Sequence, residues 1–193
     1  MSQQAHYFLA LPLSPKMKDL LFYWREVLEL RLPFKTWVHR EDYHITLAFL
    51  GHASFSQLNL LKSTITTVAE KHQTFELTLN GLGTFGKQDR PRIFWAGLQN
   101  SEPLRSLQKD ISAACKDSGF QIDARPYQPH ITMARKWNAA MAFEFDNIDK
   151  MVTPKEEVSS FDVNNVVLYR TNLQRIPKYQ PLTVFPLAGG REA

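Results

Sequence analysis

His44-Ile45-Thr46-Leu47-Ala48 and His130-Ile131-Thr132-Met133-Ala134 are nearly one five-residue strand written twice, alike at four of five positions. Aliphatic and β-branched residues fill both stretches, as strands prefer. Side chains alternate along a strand, so His, Thr and Ala are expected on one face. Ile45, Leu47 and Phe49, or Ile131 and Met133, are expected on the other. One face is then apolar core. The opposite face offers an imidazole, a hydroxyl and only a methyl group, which leaves room for a substrate.

Working outward, each copy follows a capped helix. Ser14-Pro15 supplies an N-cap with proline in the first turn, and Met17, Leu20, Leu21, Trp24, Val27 and Leu28 recur at helical spacing. Ser101 caps a helix carrying Leu104, Leu107, Ile111 and Cys115, with Gly119 suited to a left-handed C-terminal cap. Ser14 lies 30 residues before His44 and Ser101 lies 29 before His130. Each half thus runs capped helix, loop, histidine-bearing strand, an internal repeat. A further helix is expected over about 54–71, with Phe55, Leu58, Leu61, Ile65 and Val68 facing the core. Strand character marks 6–13, 43–50, 75–82, 92–98, 130–134, 161–169 and 179–186, while 81–91 is expected to be an exposed loop. Such a chain can fold as one domain over 1–193 made of two similar, pseudo-symmetric lobes, which would bring the two histidine strands together across a cleft. Residues from about 189 to 193 are expected to be a flexible tail.

Two imidazoles and two hydroxyls at one cleft suit phosphoryl transfer to water. Histidine titrates near about 6.5, so one ring can serve as base while the other serves as acid. Thr46 and Thr132 can donate hydrogen bonds to the non-bridging phosphate oxygens, where charge builds. A strained cyclic phosphate needs no metal in principle. A metal site would need three or more ligands, and neither His-Ile-Thr stretch contains an acid. Asp42 shares the parity of His44, but Gln128 stands at the equivalent place in the second half. No cofactor is expected.

The formal charge of +4 and pI of about 9.2 favour an anionic partner. Lys35, Arg40, Lys87, Arg90, Arg92, Arg125, Arg135, Lys136, Arg170, Arg175 and Lys178 fall mostly at loops and strand ends. The lone Cys115 excludes an intrachain disulfide and reads as a buried, inert thiol. No basic leader is seen, and the apolar run 7–13 is broken by Pro12 and too short to span a membrane. A cytoplasmic monomer with no membrane contact is expected.

These residues resemble the two-histidine (2H) phosphoesterases, and within them the RNA 2',3'-cyclic phosphodiesterases first known as 2'-5' RNA ligases. The likeness runs through Tyr7-Phe8-Leu9-Ala10, Trp37, the stretch His44 to Gly51, Gly83-x-Phe85, Pro91-Arg92-Ile93-Phe94-Trp95, Arg125-Pro126-Tyr127-x-Pro129 and His130 to Arg135. It closes with Leu168-Tyr169-Arg170-Thr171-x-Leu173 and Tyr179. The resemblance implies a bilobal α+β fold, with antiparallel sheets of the two lobes facing each other across a cleft and helices outside. It implies hydrolysis of RNA 2',3'-cyclic phosphate ends to 2'-phosphomonoesters, with His44 as proton donor and His130 as proton acceptor. It also implies Phe49, Arg135, Tyr127 and Arg170 as substrate-binding residues. An offset of five puts Phe49 and Arg135 on the face opposite their histidines, so a bulge or a strand end must intervene if they reach the cleft. Thr171 stands where many relatives carry serine, and Met133 where leucine is commoner. A small cyclic nucleotide as substrate, and a non-catalytic RNA-binding module, remain alternatives on the residues alone.

Overall fold

The structure, a computed structural model, describes residues 5–145, 148–152 and 159–190. Ser14 Oγ accepts the Met17 amide at 3.3 Å and Pro15 follows, so helix α1 (Pro15–Glu29) begins at its capping sequence. Ser54 and Gln57 close a reciprocal capping box on α2 (Phe55–Ala69). Ser101 Oγ accepts the Leu104 amide on α3 (Glu102–Asp117), which Gly119 terminates at φ 84°. Met17, Leu21, Trp24 and Leu28 of α1, Leu61 and Ile65 of α2, and Leu104, Leu107, Ile111 and Cys115 of α3 are buried in one core. Burial pushes the Cys115 thiol up to about 12, which leaves it inert. Phe55 departs from its expected place: at the helix's first position it lies beyond the packed stripe and is 80% exposed.

Among the described residues, nine strands complete the fold: β1 (Tyr7–Pro12), β2 (Phe34–Trp37), β3 (His44–Gly51), β4 (Phe75–Gly86), β5 (Pro91–Leu98), β6 (His130–Trp137), β7 (Ser160–Val163), β8 (Asn165–Thr171) and β9 (Tyr179–Pro186). A one-turn helix, α4 (Ile148–Met151), lies between β6 and β7. The sheet order is β7-β4-β5-β6-β3-β1-β8-β9, with β2 beside β6, and all these ladders are antiparallel. Most of the expected loop over 81–91 is instead strand, because β4 continues to Gly86 and leaves only a short turn before β5. Gly83 makes that extension possible, since a β-carbon there would stand 2.2 Å from the Trp95 ring. The run 161–169 divides into two strands at Asn164. The short β2 was not expected, having only one buried residue among Phe34, Lys35, Thr36 and Trp37. Of the expected tail, Gly190 donates its amide to Leu187, while 191–193 lie outside the described residues.

The repeat is visible in the topology. β1, α1 and β3 form a strand, a capped helix and an antiparallel neighbour, and β5, α3 and β6 do the same. The two half-sheets, β3-β1-β8-β9 and β7-β4-β5-β6, meet through a single register pair, Ile45↔Ile131, both fully buried. Helical side chains cover the apolar face of this seam.

The last hairpin is fastened to the first half by one buried carboxylate. Asp42, 4% exposed, accepts the Lys178 amide at 2.9 and 3.1 Å and the Tyr179 amide at 3.0 Å. Asp42→Ala orphans both amides and should lower unfolding free energy by roughly 2–4 kcal/mol in urea titration. Asp42→Asn keeps the oxygen that both amides approach and should lose clearly less.

Candidate active site

The histidine faces are set by paired registers. On β1, Pro12, Ala10 and Phe8 stand opposite His44, Thr46 and Phe49; on β5, Gly97, Trp95 and Ile93 stand opposite His130, Thr132 and Arg135. In each case the register slips by one residue at the same place, leaving Leu47 and Met133 as the extra residues of two matched bulges. The slip corrects two expectations. Ala48 and Ala134, expected beside the histidines, turn into the core at 3% and 0% exposure. Phe49, expected among core residues, is 57% exposed on the histidine face, and Arg135 joins it there. Strict alternation fails because the unbulged partner strand, not the motif strand, sets the pleat.

Extending the Ile45↔Ile131 register by one residue each way sets His44 across from Thr132 and Thr46 across from His130. The four polar side chains then share one patch, and His130 lies near enough to His44 to disfavour its charged form. That proximity suits two rings flanking one phosphorus.

Both rings are held in the same way. His44 Nδ1–H donates to the Asp42 carbonyl at 2.7 Å and His130 Nδ1–H to the Gln128 carbonyl at 2.8 Å. Main-chain carbonyls do this work, so the differing side chains of Asp42 and Gln128 do not matter to it. Each tautomer leaves Nε2 for chemistry. The Thr46 hydroxyl donates to His44 Nε2 at 3.1 Å. Aromatic rings wall both imidazoles: Phe8 at 4.9 Å and Tyr179 edge-on at 5.0 Å around His44, Phe85 edge-on at 4.8 Å and Trp95 at 6.2 Å around His130.

Desolvation by these walls dominates the electrostatics. It pulls His44 down to about 4, against an opposing contribution from its bond to the Asp42 carbonyl; Arg135 and His130 lower it further. His130 is lowered as well, again chiefly by burial, with Arg135 adding to the effect. At neutral pH the site therefore holds two neutral imidazoles under the field of one guanidinium.

A groove of about 800 Å³ opens beside His130 and is lined by Thr46, Phe49, Phe85, Tyr127 and Arg135 among others. Of the cations read as loop-borne, Arg92, Arg125, Arg135 and Lys136 reach it. Tyr127 lines it with its hydroxyl already donated to the Thr46 carbonyl at 3.2 Å. Arg170 is not brought there: it is exposed opposite Tyr7, one step out of phase with Tyr169, whose ring faces His44. Asp42 is no free ligand, because its carboxylate is occupied by backbone amides. The supporting rings Phe8, Phe85, Trp95 and Tyr179 lie within the stretches that carry the resemblance, but no local signal marks them as walls of the site.

Comparison with known proteins agrees with this geometry. Residues 23–175 match the family model of the 2'-5' RNA ligase superfamily. A Geobacillus stearothermophilus protein named RNA 2',3'-cyclic phosphodiesterase is 42% identical over 187 residues, 97% of this chain, which spans 59% of that protein's length. A Bacillus subtilis protein of the same name is 30% identical over 95% of this chain and 97% of its own. In fold, the chain resembles Escherichia coli LigT (TM-score 0.74, 24% identity, covering 96% of this chain and 99% of LigT) and TT0787 of Thermus thermophilus (TM-score 0.77, 23% identity, covering 97% and 100%). The doubled His-x-Thr strand, its matched bulges and these likenesses make the chain a member of the 2'-5' RNA ligase superfamily.

Proposed function

We propose that the chain hydrolyses RNA 2',3'-cyclic phosphate ends to 2'-phosphomonoesters, without metal, through His44 and His130. The observation that carries this is the seam pair Ile45↔Ile131, which gathers His44, Thr46, His130 and Thr132 on one face. The names of the Geobacillus and Bacillus relatives point to the same substrate.

Water attacks phosphorus while His130 Nε2 takes its proton; the P–O3' bond breaks, and His44 Nε2–H gives a proton to O3'. The phosphate stays on O2'. Each positioned group supplies about 10² to 10⁴ in rate. Arg135 holds the phosphate anion, Thr132 donates to a non-bridging oxygen, and the Thr46 hydroxyl turns from His44 to another. Phe49, exposed on the groove, stacks on the terminal base. Tyr127 shapes the groove wall, since its hydroxyl is engaged. Arg170 makes no contact with the reacting end.

Without an anion nearby the site has no charged donor at neutral pH, because His44 sits at about 4. The anionic substrate supplies what is missing: its charge favours the imidazolium, so a proton enters with the ligand. The enzyme acts as a cytoplasmic monomer on RNA ends. Among the described residues, no helix is long and apolar enough to cross a membrane.

Purified protein incubated in EDTA with an oligonucleotide ending in a 2',3'-cyclic phosphate should yield the 2'-monoester; a 3'-monoester, or loss of turnover on chelation, rejects the mechanism. His44→Ala and His130→Ala should each cut kcat at least about 10²-fold with folding retained. Calorimetry at neutral pH should show proton uptake when a 2'-nucleotide binds, and His44→Ala should abolish it. The unfolded chain protonates its histidines near about 6.5, whereas folded His44 waits until about 4. The stability contributed by neutral His44 is thus complete above the higher value and is lost as pH falls between the two. Acid titration of unfolding free energy in wild type and His44→Ala tests this, the variant having the shallower fall.

A further inference from the structure

Lys136 is the one described residue other than glycine whose backbone lies in the left-handed region, at φ 63°. A side chain with a β-carbon resists that conformation, which asparagine and glycine tolerate. The β2 register on either side of it is regular, with Phe34 opposite Trp137 and Thr36 opposite Arg135. Lys136 therefore carries strain inside an intact ladder, and such strain gathers at functional sites. Its effect is directional. Consecutive strand residues point to opposite faces, yet Arg135 and Lys136 are both exposed and both line the groove.

Charge gives that arrangement a purpose. The groove holds Arg92, Arg125, Arg135 and Lys136 against one described carboxylate, Asp123. Asp123 is committed to Arg125, whose Nε lies 3.0 and 2.9 Å from its two oxygens. Arg135 is close enough to lower both His44 and His130, so it serves the reacting phosphate. A cyclic phosphate carries a single negative charge. Arg92, next to the Ile93 that pairs with Arg135, and Lys136 remain over, and among the described residues neither has a carboxylate partner.

We propose that Arg92 and Lys136 form a second phosphate subsite, which takes the phosphodiester joining the terminal nucleotide to the one before it. This rests on the hydrolytic function above and sharpens it. The protein then selects RNA ends over free cyclic mononucleotides, with Lys136 held in its unfavourable conformation to keep two adjacent cations on one face.

The test compares kcat/KM for a 2',3'-cyclic mononucleotide and for a short oligonucleotide ending in the same base and group, over a range of salt. Wild type should prefer the oligonucleotide. Lys136→Asn, which suits the left-handed backbone but lacks the charge, and Arg92→Gln should each shrink that preference roughly tenfold, the weight of one charge-assisted hydrogen bond. Lys136→Arg should retain it. Each lost contact should also flatten the logarithmic salt dependence for the oligonucleotide by about 0.7. Equal loss on both substrates, or an unchanged salt slope, overturns the subsite. If wild type hydrolyses neither substrate, the hydrolytic function fails separately. The subsite is then decided by equilibrium binding of a 2'-phosphate mononucleotide and oligonucleotide, where equal affinity rejects it and a preference that Lys136→Asn removes upholds it.

Discussion

Two half-sheets of four and more strands share a single register pair, Ile45↔Ile131, and the placing of both motif histidines depends on it. Ile45 and Ile131 are fully buried, each worth about 1.5–3 kcal/mol of transfer free energy, and each sits one residue past a histidine. Their contact is a packing constraint with a chemical result. Closing the apolar seam on one face brings two imidazoles and two hydroxyls together on the other. A one-residue slip would turn the histidines into the core, and the isoleucines would have to face water. The hydrophobic cost of that slip fixes the site's register more firmly than any polar contact within it.

Polar and aromatic neighbours then tune what packing has assembled. Backbone carbonyls at Asp42 and Gln128 fix which nitrogen of each ring is free, and aromatic walls strip water from both. In the proposed mechanism the resulting preference for neutral imidazole, strongest at His44, is unhelpful to the acid until an anion arrives. Selectivity and activation would then be linked through one electrostatic effect, since a ligand without negative charge would neither bind well nor charge the donor.

Much of this could be read in the chain, for identifiable reasons. Local signals carried the doubled His-x-Thr strand, the Ser14 and Ser101 caps and the helical stripes, since caps and periodicity depend on neighbours a few residues away. The facing of Phe49 and Arg135 was not legible, because the bulges at Leu47 and Met133 come from register against β1 and β5. The structural role of Asp42 was not legible either, because its partners, the amides of Lys178 and Tyr179, are distant in sequence and silent in composition. Arg170, which the resemblance implies as substrate-binding, is turned away from the groove by the phase of β8, a matter of register against β1.

The order of strands also bears on how the molecule is made. β8 and β9, near the end of the chain, complete the half-sheet that begins with β1 and holds His44, whereas β4 to β7 build the other half from contiguous sequence. During synthesis on the ribosome the first-born strand must wait with an open edge, its hydrogen-bonding groups unpaired, until the last hairpin emerges. The half carrying His130 can close while translation is under way. The half carrying His44 becomes whole only after the closing hairpin has left the exit tunnel, so a nascent chain cut short acquires one imidazole's setting without the other's.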